Sequence, residues 1–178
     1  VGKLGSSAVA TVGLTETILF LLYAIGIGLA MAVTAVVARR VGEGKREEAA
    51  VTAVQAIWIA LLASVPFSIA GIVLAQDLLR MMGADAWTLT HGYPYMQWAL
   101  GGNAVILLLF TINAIFRGAG DASAAMRVLW VANALNIVLD PILIFGFGPI
   151  PGLGLEGAAI ATTIGRGAGV LMQLWILF

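Results

Sequence analysis

The sequence predicts an all-α integral membrane protein, and three observations predict it. Of 178 residues, 61% are hydrophobic and only 10% are charged, whereas a soluble domain carries about 25% charged residues. The apolar residues gather into five runs of roughly 20 residues, the length a helix needs to cross a hydrocarbon core about 30 Å thick. The runs are longer than barrel strands and do not alternate, and open sheet edges cannot face lipid, so each run reads as a helix.

The five spans follow in order, at about residues 14–38, 51–75, 96–116, 126–147 and 157–178. Gly26 and Gly28 in the first and Pro66 in the second allow bends. A polar lead-in from Trp87 precedes the third, where His91, Tyr93, Tyr95 and Gln97 suit a membrane interface. Glycine and proline punctuate the connections, most densely between the fourth and fifth spans. Glu16 falls at the end of the first span and reads as solvated. The fifth span repeats a small residue every four positions, at Gly157, Ala161, Gly165 and Gly169, which makes a face for close helix packing.

Charge sets the expected orientation, because Lys and Arg collect on the cytoplasmic side. Arg39, Arg40, Lys45, Arg46, Arg117 and Arg127 lie on one face, and only Lys3 and Arg80 on the other. The chain is therefore expected in the cell membrane as a multi-pass protein, with Val1 outside and Phe178 inside. It begins at Val1 and stops within an apolar run, so it is expected to be part of a longer protein. The 9 basic and 9 acidic residues cancel, which argues against a nucleic acid partner, since a polyanion requires surplus positive charge. With no cysteine and one histidine, thiolate metal sites, cysteine nucleophiles and multi-histidine sites are excluded. No enzyme chemistry and no cofactor is expected.

Polar groups within the spans carry the functional expectation. In the fourth span Asn133, Asn136 and Asp140 recur at spacings of three and four, so they share a helix face. Pro141 has no N–H, and the Ile137 carbonyl loses its helical donor. An acid, two amides and a freed carbonyl are oxygen ligands for Na⁺ or a wetted site for a proton. The competing expectation is that these groups only join helices. By rise per residue, Asp140 lies ~8–10 Å and Thr162 ~8 Å below the outer boundary, so Thr162 can add a hydroxyl to the same layer. It can equally bond its own backbone one turn back. Arg166 lies ~14 Å down, near the midplane, as a counter-ion to Asp140 or snorkelling inward. Gln173 is expected on the same face, and Asn113 and Asn103 in a cavity or a cross-helix bond.

Some motif matches do not survive their context. Gly152, Gly154 and Gly157 spell G-x-G-x-x-G without a preceding strand. Gly118, Gly120 and Asp121 spell the G-x-G-D of intramembrane aspartyl proteases, but Asp140 is ~28 Å further along the helix, too far to share a proton with Asp121.

Several stretches taken together resemble one family. They are VGKLGSSAVATVGLTE (1–16), AIGIGLAMAVTAVVARRVGEGK (24–45), FRGAGDASAAM (116–126), NIVLDPILIFGFG (136–148) and GLGLEGAAIATTIGR (154–166). In this order they resemble the multidrug and toxic compound extrusion (MATE) family of cation-coupled antiporters. The resemblance implies helices two to six of a six-helix amino-terminal lobe, with the first helix and the carboxy-terminal lobe absent from this chain. Asn136 and Asp140 resemble the N-x-x-x-D of the archaeal and DNA-damage-inducible-F-like branch, and Thr162 its helix-six threonine. Together they imply a site for H⁺ or Na⁺. The loop from Gly120 to Ser123 lacks the proline that often follows this family's G-D. The implied parent exports drug-like organic cations across the cytoplasmic membrane. A flippase of lipid-linked sugars or a non-transporting membrane scaffold are the alternatives.

Overall fold

A computed structural model describes residues 2–178; the predicted position of Val1 lies outside the described residues. Five stretches are helical, long and apolar enough to cross a membrane. They form α1 (Ser6–Gly42), α2 (Arg46–Met81), the pair α3 (Tyr93–Gly101) and α4 (Asn103–Gly118), α5 (Ala122–Phe145) and α6 (Gly154–Leu177). Large apolar side chains such as Phe20, Trp58, Leu62, Trp130 and Trp175 face outward, while Asn103, Asn113 and Gln173 are buried. That inversion suits lipid as the surrounding solvent, where apolar surface costs nothing and polar groups need partners inside.

The helices are longer than the apolar runs. α1 begins at Ser6, eight residues before the predicted span, because its polar first turns are self-satisfied. Thr11 Oγ1 donates to the Ser7 carbonyl at 2.8 Å, and Thr15 Oγ1 to the Thr11 carbonyl at 2.9 Å. α1 and α2 have 37 and 36 residues, hence ~55 Å each. Their connection is tied by charge: Glu43 accepts from Arg39 Nε at 2.9 Å and lies 3.1 Å from Lys45 Nζ. Arg39 and then Lys45 hold the Glu43 carboxyl below its ordinary range.

The third span is not one helix. It opens with a π-helical turn over Thr88–Gly92 and breaks at Gly102 between α3 and α4. Asn103 takes over the hydrogen bonding at the break, donating from Nδ2 to the Leu100 carbonyl at 2.6 Å and Ser68 Oγ at 2.9 Å. Ser68 Oγ in turn donates to the Gly101 carbonyl at 3.1 Å. Both serine and asparagine thus serve structure. The π-turn is capped by Asp85, whose carboxylate accepts from the Thr88 N–H at 2.8 Å and from Ser7 Oγ at 3.0 Å. The Thr88 hydroxyl, its backbone N–H and the Ser7 hydroxyl together hold that carboxyl below the usual range.

Asp121 is the N-cap of α5, accepting from the Ala124 N–H at 2.9 Å. That accounts for its place after the glycines without any catalytic role. α5 runs through Pro141 to Phe145. A two-residue antiparallel hairpin, β1 (Gly146–Phe147) and β2 (Ile150–Pro151), then turns the chain into α6. α6 lies against α5 along its small residues. A Cβ on Gly157 would run into the Leu143 carbonyl, one on Gly165 would lie 3.1 Å from the Ala132 carbonyl oxygen, and one on Gly169 3.2 Å from the Ala132 Cβ.

Candidate functional site

The close approach of α5 and α6 brings Asn136, Asp140 and Thr162 together. A carboxylate only accepts hydrogen bonds, so the Asn136 amide turns its nitrogen to Asp140 and its oxygen to Thr162. In that orientation Nδ2 donates to Asp140 Oδ2 at 3.2 Å, and Oδ1 lies 3.3 Å from both Thr162 Oγ1 and the Thr162 backbone nitrogen. Thr162 Oγ1 also lies 2.9 Å from the Ala158 carbonyl, so one hydroxyl proton serves two acceptors. Asn136 is the bridge: it alone touches both other members. Asp140 is half-buried, with Pro141 beside it inside the helix.

Two chambers meet at this cluster. The smaller, about 180 Å³, is walled by Asn136, Thr162 and Arg166 together with Glu16 from α1 and Tyr95 from α3. The larger, about 380 Å³, has Asn133, Asn136, Thr162 and Arg166 on one side and Tyr23 and Phe110 on the other. Those two rings meet edge to face with centroids 6.1 Å apart.

Arg166 makes no ion pair within 4 Å and no hydrogen bond among the described residues, and hence no pair with Asp140. Arg166 lines both chambers instead. Gln173 and Asn113 do not join them. Gln173 Nε2 donates to Asn113 Oδ1 at 2.9 Å, with Gln173 0% and Asn113 4% exposed. This pair sits between α4 and α6 as a dry helix-to-helix bond. Asn103 is likewise committed to the break in the third span. Glu16 and Tyr95 are the wall residues that sequence reasoning passed over. Glu16 is exposed and lies ten residues inside α1, because the helix begins before the apolar run. Among the described residues no three His, Asp or Glu side chains gather to hold a metal.

A polar cluster and two chambers among helices apolar enough to cross a membrane define a polytopic membrane protein. The chain belongs to the MatE family, whose family model matches residues 1–142. It is 30% identical over 162 residues to a FAD transporter of Shewanella oneidensis, covering 91% of this chain and 36% of the relative. It is 29% identical over 178 residues to the probable multidrug resistance protein NorM of Thermotoga maritima, covering 99% and 38%. A crystal structure of a MATE protein in the bent conformation superposes with a TM-score of 0.91 at 32% identity, over 100% of this chain and 39% of that one. The chain thus spans under two fifths of the length of these relatives.

Proposed function

We propose that this chain is the greater part of the amino-terminal lobe of a cation-coupled antiporter, completed by a first helix and a carboxy-terminal lobe. In the intact protein H⁺ or Na⁺ enters from outside and binds at Asp140, and an amphipathic drug-like compound leaves in exchange. In this reading Val1 lies outside and Phe178 inside. Relatives named for multidrug resistance and for FAD support an organic substrate.

The observation that carries the proposal is the Asn136 amide held between Asp140 and Thr162. An ionised Asp140 can only accept, which fixes the amide with its N–H toward the acid. Protonation makes the acid a donor and favours the amide turned round, its oxygen on Asp140 and its nitrogen on Thr162. Loss of one proton therefore reaches α6 through a single side chain. The charge also matters: an ionised Asp at a helix centre costs about 2.5–3.5 kcal/mol on insertion scales. Neutralising it is worth on the order of 100-fold in an equilibrium between two packings of the lobe.

The test uses the full-length protein in proteoliposomes. Ethidium efflux is compared for wild type and Asp140→Asn under a proton gradient and then a sodium gradient. Wild-type efflux under one gradient, lost in a folded Asp140→Asn protein, is the expected result, and the effective gradient names the ion. Equal efflux by the variant defeats the assignment of Asp140.

A further inference from the structure

We infer that Arg166 and the larger chamber form a subsite for an anionic group, a carboxylate or phosphate, on a substrate with a planar aromatic body. The inference rests on the reading of the intact protein as an exporter and narrows its substrate class. A guanidinium does not lose its proton, so burial cannot neutralise it. Within a membrane it needs a counter-ion, water or a ligand. Asp140 and Glu16 are the acids nearest the two chambers, and neither lies within 4 Å of Arg166 among the described residues. Asn136 stands on the chamber wall and spends its N–H on Asp140. Arg166, whose guanidinium has five donors, thus lines a chamber of about 380 Å³ without a partner among the described residues, and that volume is within the range of small-molecule sites.

The rest of the wall fits the rest of such a ligand. Tyr23 and Phe110 form an aromatic corner at 6.1 Å, and Ile106, Leu109 and Leu129 are apolar. Asn133 and Thr162 add neutral hydrogen-bonding groups beside the guanidinium. A purely cationic compound would place its charge against Arg166 and lose affinity. A bidentate carboxylate or phosphate would satisfy the fork geometry that a lysine cannot reproduce.

Flavin mononucleotide and riboflavin test the idea, because they share a ring system and differ by a phosphate. Their binding to the full-length protein in dodecyl maltoside is followed by flavin fluorescence. Wild type is expected to prefer the mononucleotide by about tenfold or more, the scale of a charge-assisted contact. Arg166→Gln should remove that preference while riboflavin binding stays. Arg166→Lys should keep part of it, which separates loss of charge from misfolding; each variant is checked by its elution volume and melting temperature. Equal binding of the two flavins by wild type, binding of neither, or an unchanged preference in Arg166→Gln overturns the inference. So does full competition by phosphatidylglycerol in nanodiscs, which would assign Arg166 to a lipid headgroup. The flavin preference is read at equilibrium with no ion gradient, whereas the coupling reading is tested by gradient-driven efflux, so failure of the one and failure of the other are told apart.

Discussion

Helix α6 carries two polar clusters that differ in what surrounds them. Near its start Thr162 faces Asn136 and Asp140, at the edge of two chambers. Eleven residues on, ~16 Å along the axis, Gln173 faces Asn113 in a fully packed interior. Both hold side-chain amides within helices long and apolar enough to cross a membrane. In the first cluster a group that can change charge touches a group that can change partner, with space alongside. In the second two neutral amides hold each other and nothing titrates. A polar residue in a membrane helix is therefore read by its neighbours' freedom to change, not by its polarity.

The largest expected effect separates the two clusters outright. Asp140→Asn should lower gradient-driven efflux by about 100-fold or more, whereas Asn113→Leu combined with Gln173→Leu should leave efflux near wild type. Loss of transport in the folded double variant would erase the distinction. Next comes the packing that builds the first cluster. Gly157→Val drives a branched side chain into the Leu143 carbonyl and should lower stability by about 1–3 kcal/mol or more, read as a lower melting temperature. Asn136 and Thr162 lose their register with it.

The third prediction sharpens the second cluster. Gln173→Ala leaves Asn113 Oδ1 buried without a donor and should cost about 1–3 kcal/mol. Gln173 Oε1 already has no partner, so the double replacement by leucine should cost less than the sum of the single ones in a double-mutant cycle. The smallest effect lies outside both clusters, at the Asp121 cap of α5. The Ala124 N–H and then the Ser123 hydroxyl hold that carboxyl below its ordinary range. A lowered folded value gives stability that is present above the unfolded pKa of about 3.9 and is lost as pH falls through the folded value. Asp121→Ala should therefore melt slightly below wild type at pH 7, with the gap closing below about pH 4.

What the sequence made legible follows from how directly each feature depends on a single segment. The five spans were legible because a helix in lipid must satisfy its own backbone within one apolar run. The Asn136 and Asp140 face followed from helical periodicity alone, and so did the small-residue face of α6. The break at Gly102 was not legible, because a Gly-Gly pair is tolerated within membrane helices and the partners that stabilise the break sit on α2. Asn113 and Gln173 belong to different helices 60 residues apart, so no local pattern pairs them. Glu16 falls at the end of its apolar run as expected, but its place on a chamber wall with Tyr95 and Arg166 depends on two further helices. The surroundings of Arg166 depend on four helices at once, and depth alone left both a counter-ion and a snorkelling side chain open.

The small-residue seam has a mechanical consequence. Seen through an added Cβ, the approach of α6 to α5 is tightest at Gly157, within 2.6 Å of the Leu143 carbonyl carbon, and eases to 3.1 Å at Gly165 and 3.2 Å at Gly169. All three approaches are closer than ordinary van der Waals contact, so the seam is a zip closed along its whole length. A side chain added at any of its three glycines would pry the helices apart and carry Thr162 away from Asn136.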